Sequence, residues 1–163
     1  MMRMLRRFTP LGLLGLVLSA CSAGDQREDE KPSARTDAGR RSWQGPPRAS
    51  ATGEIAVERF DEYVRTQKPA SVRSPIGAAV EFLRLRTQAR TIGVELNANP
   101  EVGRSAAVTV TLDGLLDDSV RAQRYVLAFT RRGDGTWRLS SARFSQRCQP
   151  GRGHQSFSPK LCL

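Results

Sequence analysis

Val108-Thr109-Val110-Thr111-Leu112 alternates a branched apolar side chain with a threonine. Successive side chains of a strand point to opposite faces, so this stretch reads as a strand with one face buried and the other in water. Upstream, Ile92, Val94 and Leu96 alternate with Thr91, Gly93 and Glu95, a second, short strand. Between the two lies a turn region, 97–103, that contains Pro100. Downstream, Asp113-Gly114 and Asp117-Asp118 surround a connection, and Tyr125, Leu127 and Phe129 then alternate with Val126, Ala128 and Thr130. Arg131-Arg132-Gly133-Asp134-Gly135 is a hairpin loop, with glycine able to take positive φ. Trp137 and Leu139 open a return strand that runs through Phe144 towards Cys148.

Further upstream the period changes from 2 to 3.6. Val57, Phe60, Tyr63 and Val64 share one helical face, with Glu58, Asp61, Glu62 and Arg65 around them, and the spacing predicts a helix over 53–67. Lys68-Pro69 ends it. Ser74-Pro75 reads as an N-cap followed by a first-turn proline. Ile76, Ala79, Val80, Leu83 and Thr87 then form a stripe flanked by Phe82 and Leu85, which predicts a second helix over 75–90. Two helices followed by strands on short connections predict an α+β domain. The two N-terminal helices pack on one face of an antiparallel sheet of about four strands.

The 163 residues suggest one domain plus extras, with a formal charge of +10. Lysine occurs only at Lys31, Lys68 and Lys160, so arginine supplies 23 of the 26 cationic side chains. A basic surface attracts nucleic acid, anionic lipid or acidic polymer. Here the arginines are spread along the domain rather than clustered, which reads mainly as background composition. Nucleic acid is not an expected partner.

At the N-terminus, Arg3, Arg6 and Arg7 precede the apolar run Leu11-Gly12-Leu13-Leu14-Gly15-Leu16-Val17-Leu18. That is the layout of a secretory signal, and the run is too short for a permanent span. Leu18-Ser19-Ala20-Cys21 resembles the bacterial lipobox. The resemblance implies cleavage before Cys21 and diacylation of its sulfur, which places the protein at the cell membrane, lipid-anchored, on the extracytoplasmic face. One acyl chain binds a bilayer only marginally, whereas two or three hold stably. On this reading 1–20 is the lipoprotein signal peptide, 21–50 is the lipidated cysteine with a disordered tether, and 51–163 is a single globular domain. The 29 residues of 22–50 are polar and lack apolar periodicity. They form a flexible coil that reaches roughly 30 Å. Trp43 is the only large apolar residue of the tether, and packing onto the domain, dipping into the membrane interface and plain exposure all remain open for it.

With Cys21 lipidated, Cys148 and Cys162 are left in an oxidising compartment, and a disulfide between them is expected. It would pin the tail from Cys148 to the end of the last strand. A metal site needs more ligands than two cysteines and His154 at this spacing, and a redox pair is normally Cys-x-x-Cys. Gly151 and Gly153 read as backbone-conformation residues. His154 is the only histidine; Ser156 and Ser158 are near in sequence, but nearness is not a triad.

The order of helices and alternating strands, behind a lipobox and a polar tether, resembles small bacterial lipoproteins with an NTF2-like or cystatin-like domain. The run Cys148-Gln149-Pro150-Gly151-Arg152-Gly153-His154-Gln155, with Phe157-Ser158-Pro159 and Cys162, resembles a tail of secreted or lipidated proteins and brings no activity with it. The expected function is a non-catalytic binding or structural envelope protein. Its partners would be the bilayer through acylated Cys21 and an envelope protein or anionic cell-wall component. The alternative is an NTF2-like enzyme or a carrier of a small apolar ligand, with a pocket between helices and sheet. Enzyme candidates are Tyr63, Asp61, Glu95 and Tyr125, but no catalytic, metal or cofactor residue is assigned and no cofactor is expected. A deep cavity with a buried acid would favour the enzyme, a deep apolar cavity the carrier, and a filled core the binding protein.

Overall fold

The structure, a computed structural model, describes residues 42–86, 88–98 and 103–163. The lipobox cysteine Cys21, the signal segment 1–20 and the tether up to residue 41 lie outside them. In chain order the elements are β1 (Glu54–Ile55), α1 (Glu58–Gln67), a 3₁₀ turn (Ala70–Arg73), α2 (Pro75–Leu83), β2 (Ala89–Ala98), β3 (Ser105–Leu115), β4 (Val120–Arg131) and β5 (Trp137–Cys148). The domain is α+β, with two helices and one antiparallel sheet in the order β1-β5-β4-β3-β2.

The sheet has five strands rather than about four. The extra strand comes from the segment expected to begin the first helix. Gly53 sits at φ +84, where its N–H donates to the Ser50 carbonyl at 2.9 Å and its C=O faces β5, and a Cβ there would fall 2.4 Å from the Phe144 carbonyl oxygen. Only glycine allows that approach. Phe144 N–H donates to the Gly53 carbonyl at 2.7 Å, and Glu54 and Ile55 pair with Arg143 and Ala142. The helix therefore starts at Glu58, not at 53. It ends at Lys68, whose left-handed backbone returns its N–H to the Val64 carbonyl.

α2 starts as expected. The Ser74 hydroxyl accepts from Gly77 N–H at 3.0 Å and Pro75 occupies the first turn. It stops at Leu83 rather than near 90, because Arg84 turns left-handed and donates its N–H to Val80 at 3.1 Å. The residues released from the helix lead into β2, which spans ten residues rather than the short strand expected.

The core lies between the helices and the inner face of the sheet. Phe60 and Val64 of α1, Val72 of the 3₁₀ turn, and Ala78, Ala79, Phe82 and Leu83 of α2 meet Val108, Val110, Leu112, Leu127, Phe129, Leu139 and Ala142. Trp43 completes it. Its ring lies 5.6 Å from Phe82 in a stacked arrangement and 5.2 Å edge-on to Phe60, and its indole N–H donates to the Phe82 carbonyl at 2.7 Å. That carbonyl belongs to the last turn of α2, where backbone acceptors lack helical partners. Of the three readings left open for Trp43, the structure selects packing onto the domain.

Candidate functional site

The residues expected to bear on function fall in separate places. Cys148 and Cys162 form a disulfide with a Cα–Cα distance of 5.5 Å. The tail between them is held by more than the covalent link. Gln146 and Ser158 exchange backbone hydrogen bonds at 2.8 and 2.9 Å, and the Gln146 side chain donates to the Lys160 carbonyl at 2.9 Å. Cys148 N–H donates to His154 O at 3.0 Å. Gly153 has φ +131, and a Cβ there would sit 3.0 Å from the Cys148 sulfur. The tail also sends Phe157 under the Arg124 guanidinium, 3.8 Å from its ring centroid, with Arg147 at 5.4 Å.

His154 faces two backbone carbonyls, Ser156 O from Nδ1 at 2.9 Å and Lys160 O from Nε2 at 3.0 Å. Its neighbour in Ser156 is thus the peptide oxygen, not the hydroxyl, so no Ser–His pair forms. The ring donates to both carbonyls when both nitrogens carry protons. One ligand atom each of Cys148, His154 and Cys162 lie within 4.8 Å of one another. With the sulfurs joined to each other and both ring nitrogens on carbonyls, this trio supplies no thiolate and no free imidazole to a metal, and it does not fit one.

Three of the four residues named as enzyme candidates are each committed to a different neighbour. Asp61 accepts from Arg138 Nε at 2.7 Å and Arg132 Nη2 at 3.4 Å, which ties α1 to the β4–β5 hairpin. Tyr63 donates to Glu81 Oε1 at 2.6 Å, and Glu81 also receives Arg84 at 2.7 Å and Ser71 at 3.2 Å. Burial pushes the Tyr63 phenol above its ordinary value, and the bond to Glu81 and that carboxylate's charge push it the same way. Tyr125, on the inner face, has its ring 5.3 Å from Phe144, donates to Gln123 Oε1 at 3.3 Å, and is raised by burial. Glu95 is exposed on β2, opposite Thr109. The space between helices and sheet, where a pocket was considered, is occupied by Trp43, Phe60 and Phe82.

Two concave surfaces among the described residues lie at the strand ends. One, of about 330 Å³, is lined by Gly103, Arg104, Arg131, Arg132 and Gly133. β3 begins just after Arg104 and β4 ends at Arg131, so the antiparallel pairing brings the arginines together; Arg131 N–H donates to the Arg104 carbonyl at 2.8 Å. Arg132 is anchored by Asp61, whereas Arg104 and Arg131 are exposed. The double arginine of the hairpin was visible in the sequence, but its meeting with Arg104 follows only from the strand register. A second hollow, about 550 Å³, runs over the other side of the same strand ends past Asn97, Ala107, Ala128 and Ser140.

At the opposite end of the sheet, the β3–β4 connection is closed by Asp117, which accepts from Val120 N–H at 2.6 Å and Ser119 N–H at 2.8 Å. The Val120 and Ser119 bonds hold its carboxyl below the usual range. A depressed carboxylate contributes stability that is full above its unfolded value, about 3.9, and is lost as pH falls through its folded value. Asp117→Ala is therefore expected to flatten the decline of the urea midpoint as pH drops below about 4, and an unchanged slope would remove Asp117 from this role.

Comparison with protein-family models, with curated proteins and with solved structures finds no match to this chain. What defines its class is therefore the geometry: a two-helix, five-strand α+β domain with a disulfide-closed C-terminal tail.

Proposed function

We propose that this chain is a lipid-anchored envelope protein on the extracytoplasmic face of the membrane, and that its domain binds an anionic partner rather than catalysing a reaction. The anchor reading rests on the lipobox ending at Cys21. No helix among the described residues is long and apolar enough to cross a membrane. The disulfide is consistent with an oxidising compartment. The NTF2-like or cystatin-like reading is supported by two helices over an antiparallel sheet.

The observation that carries the binding function is the arginine-lined hollow at the β3–β4 ends. Guanidinium groups present planar donor forks that match phosphate and carboxylate oxygens. Arg104 and Arg131 are exposed and form no ion pair with another described residue, while Arg132 is oriented by Asp61. The enzyme or carrier alternative has the aromatic filling of the helix–sheet interior against it.

The test is equilibrium binding of full-length protein in detergent micelles to a poly(glycerol phosphate) oligomer, with a neutral polysaccharide and phosphatidylglycerol vesicles as further arms. Arg104→Ala/Arg131→Ala is expected to weaken polymer binding at least about tenfold, the loss of one charge-assisted bond at the low end of its range. Binding should also fall with rising salt. An equal loss in Arg48→Ala/Arg73→Ala, exposed arginines elsewhere, would reduce the effect to net charge and sink the assignment. Binding confined to vesicles would identify lipid as the anion source.

A further inference from the structure

The two edges of the sheet are treated differently. On one side, β5 is covered by β1 and by the Gln146–Ser158 bridge of the tail. On the other, β2 ends the sheet, and none of the described residues pairs with its outer edge. Edge strands are commonly kept from pairing by brevity, proline, bulges or a charge pointing into the apolar face. β2 is ten residues long, contains no proline, carries charge only at Arg90 and Glu95, and pairs with β3 without a register shift.

Its inner face is apolar. Ile92, Val94 and Leu96 stand opposite Leu112, Val110 and Val108, which are no more than 1% exposed, yet they themselves remain 50, 42 and 44% exposed. The helices cover β3 fully and reach β2 only in part, at its Ala89 end. α2 carries Ile76 and Val80 outward as well. Half-exposed apolar side chains along an open sheet edge point to an interaction site.

We propose that β2 pairs with β2 of a second copy, antiparallel about a two-fold axis at Val94, to join two five-stranded sheets into one. The sequence around Val94 supports a copy of the same chain as the occupant. A two-fold axis perpendicular to the sheet keeps inner faces together, so directly opposed residues must number symmetrically about one position. About Val94, Ile92 meets Leu96 of the second copy and Val94 meets its own counterpart. On the outer face Glu95 meets Gly93 and Asn97 meets Thr91. The register thus matches apolar with apolar and keeps the two Glu95 carboxylates from facing each other. The pairing would bury the half-exposed Ile92, Val94 and Leu96 of both copies together with the unpaired backbone groups of both edges.

Opposed residues across an antiparallel pair bring Cβ atoms within reach of a disulfide. In full-length protein in native membranes under mild oxidation, Val94→Cys is expected to give a reducible dimer. Wild type and Val126→Cys, an exposed site on the outer face of a central strand, should not. In detergent solution, wild type should sediment as a dimer of the processed, lipidated chain. Val94→Arg, with unchanged circular dichroism, should become monomeric. The proposal is overturned if Val94→Cys crosslinks no more than Val126→Cys, if it crosslinks to a different polypeptide, or if Val94→Arg stays dimeric.

Discussion

Trp43→Ala is expected to lower the unfolding free energy by about 3–5 kcal/mol, the cost of emptying a large aromatic site in a packed core. The effect is large because three contributions disappear together. The ring is 8% exposed and packs against Phe60, Phe82 and Tyr63. Offset and edge-on aromatic pairs add about 0.5–1.5 kcal/mol each beyond the area they bury. Loss of the indole N–H then leaves the Phe82 carbonyl without that donor at the end of α2. Trp43→Phe separates these terms: it keeps an aromatic ring and removes the donor, so its loss should be smaller, nearer 1–2 kcal/mol. Urea unfolding provides the measurement, with the midpoint falling while the slope stays constant. A loss below about 1 kcal/mol for Trp43→Ala would mean that the residue lies at the surface in solution.

Removing the Cys148–Cys162 bond is expected to cost about 3 kcal/mol, because a loop of about 15 residues regains its freedom in the unfolded chain. Cys148→Ala/Cys162→Ala tests this in the same urea experiment, and reduction of the wild type should shift the midpoint by a similar amount. Cys148 is fully buried, so the alanine pair avoids placing a serine hydroxyl in an apolar site. The tail has its own hydrogen bonds through Gln146, Ser158 and His154, so the native arrangement should survive in the folded state. Amide exchange at Ser158 and Cys148 should quicken while β3 and β4 stay protected. A stability change below about 1 kcal/mol would mean that the unfolded chain gains little freedom on losing the link.

How far the sequence could be read depended on the range of the interactions involved. Val108 to Leu112 and Tyr125 to Thr130 announced their strands by alternation, and the Ser74-Pro75 cap announced α2. Helix ends were less legible. Gly53, Glu54 and Ile55 carry no local signal that separates a helix start from a strand; pairing with Arg143 and Ala142, far along the chain, decides it. Thr87 continues the stripe of α2 in the sequence and Leu85 flanks it, yet the helix stops at Leu83 where Arg84 turns left-handed. The candidate site was legible only as ingredients. Arg131-Arg132 stood out in a hairpin, but Arg104 joins them because β3 and β4 run antiparallel in one particular register. Asp61 and Tyr63 looked like free ionisable groups on a helix, and each is spoken for by a partner on another element.

By itself, the sequence determined the α+β class, the order of helices before the main strands, and a cysteine pair placed to close the tail, because periodicity and spacing are local properties of a chain. Only the tertiary structure decided that Trp43 belongs to the core, that β1 covers one sheet edge while no described residue pairs with the outer edge of β2, and that three arginines share one hollow. Those outcomes depend on which surfaces meet across tens of residues. Burial and strand register are set by the whole packed assembly, not by any segment within it.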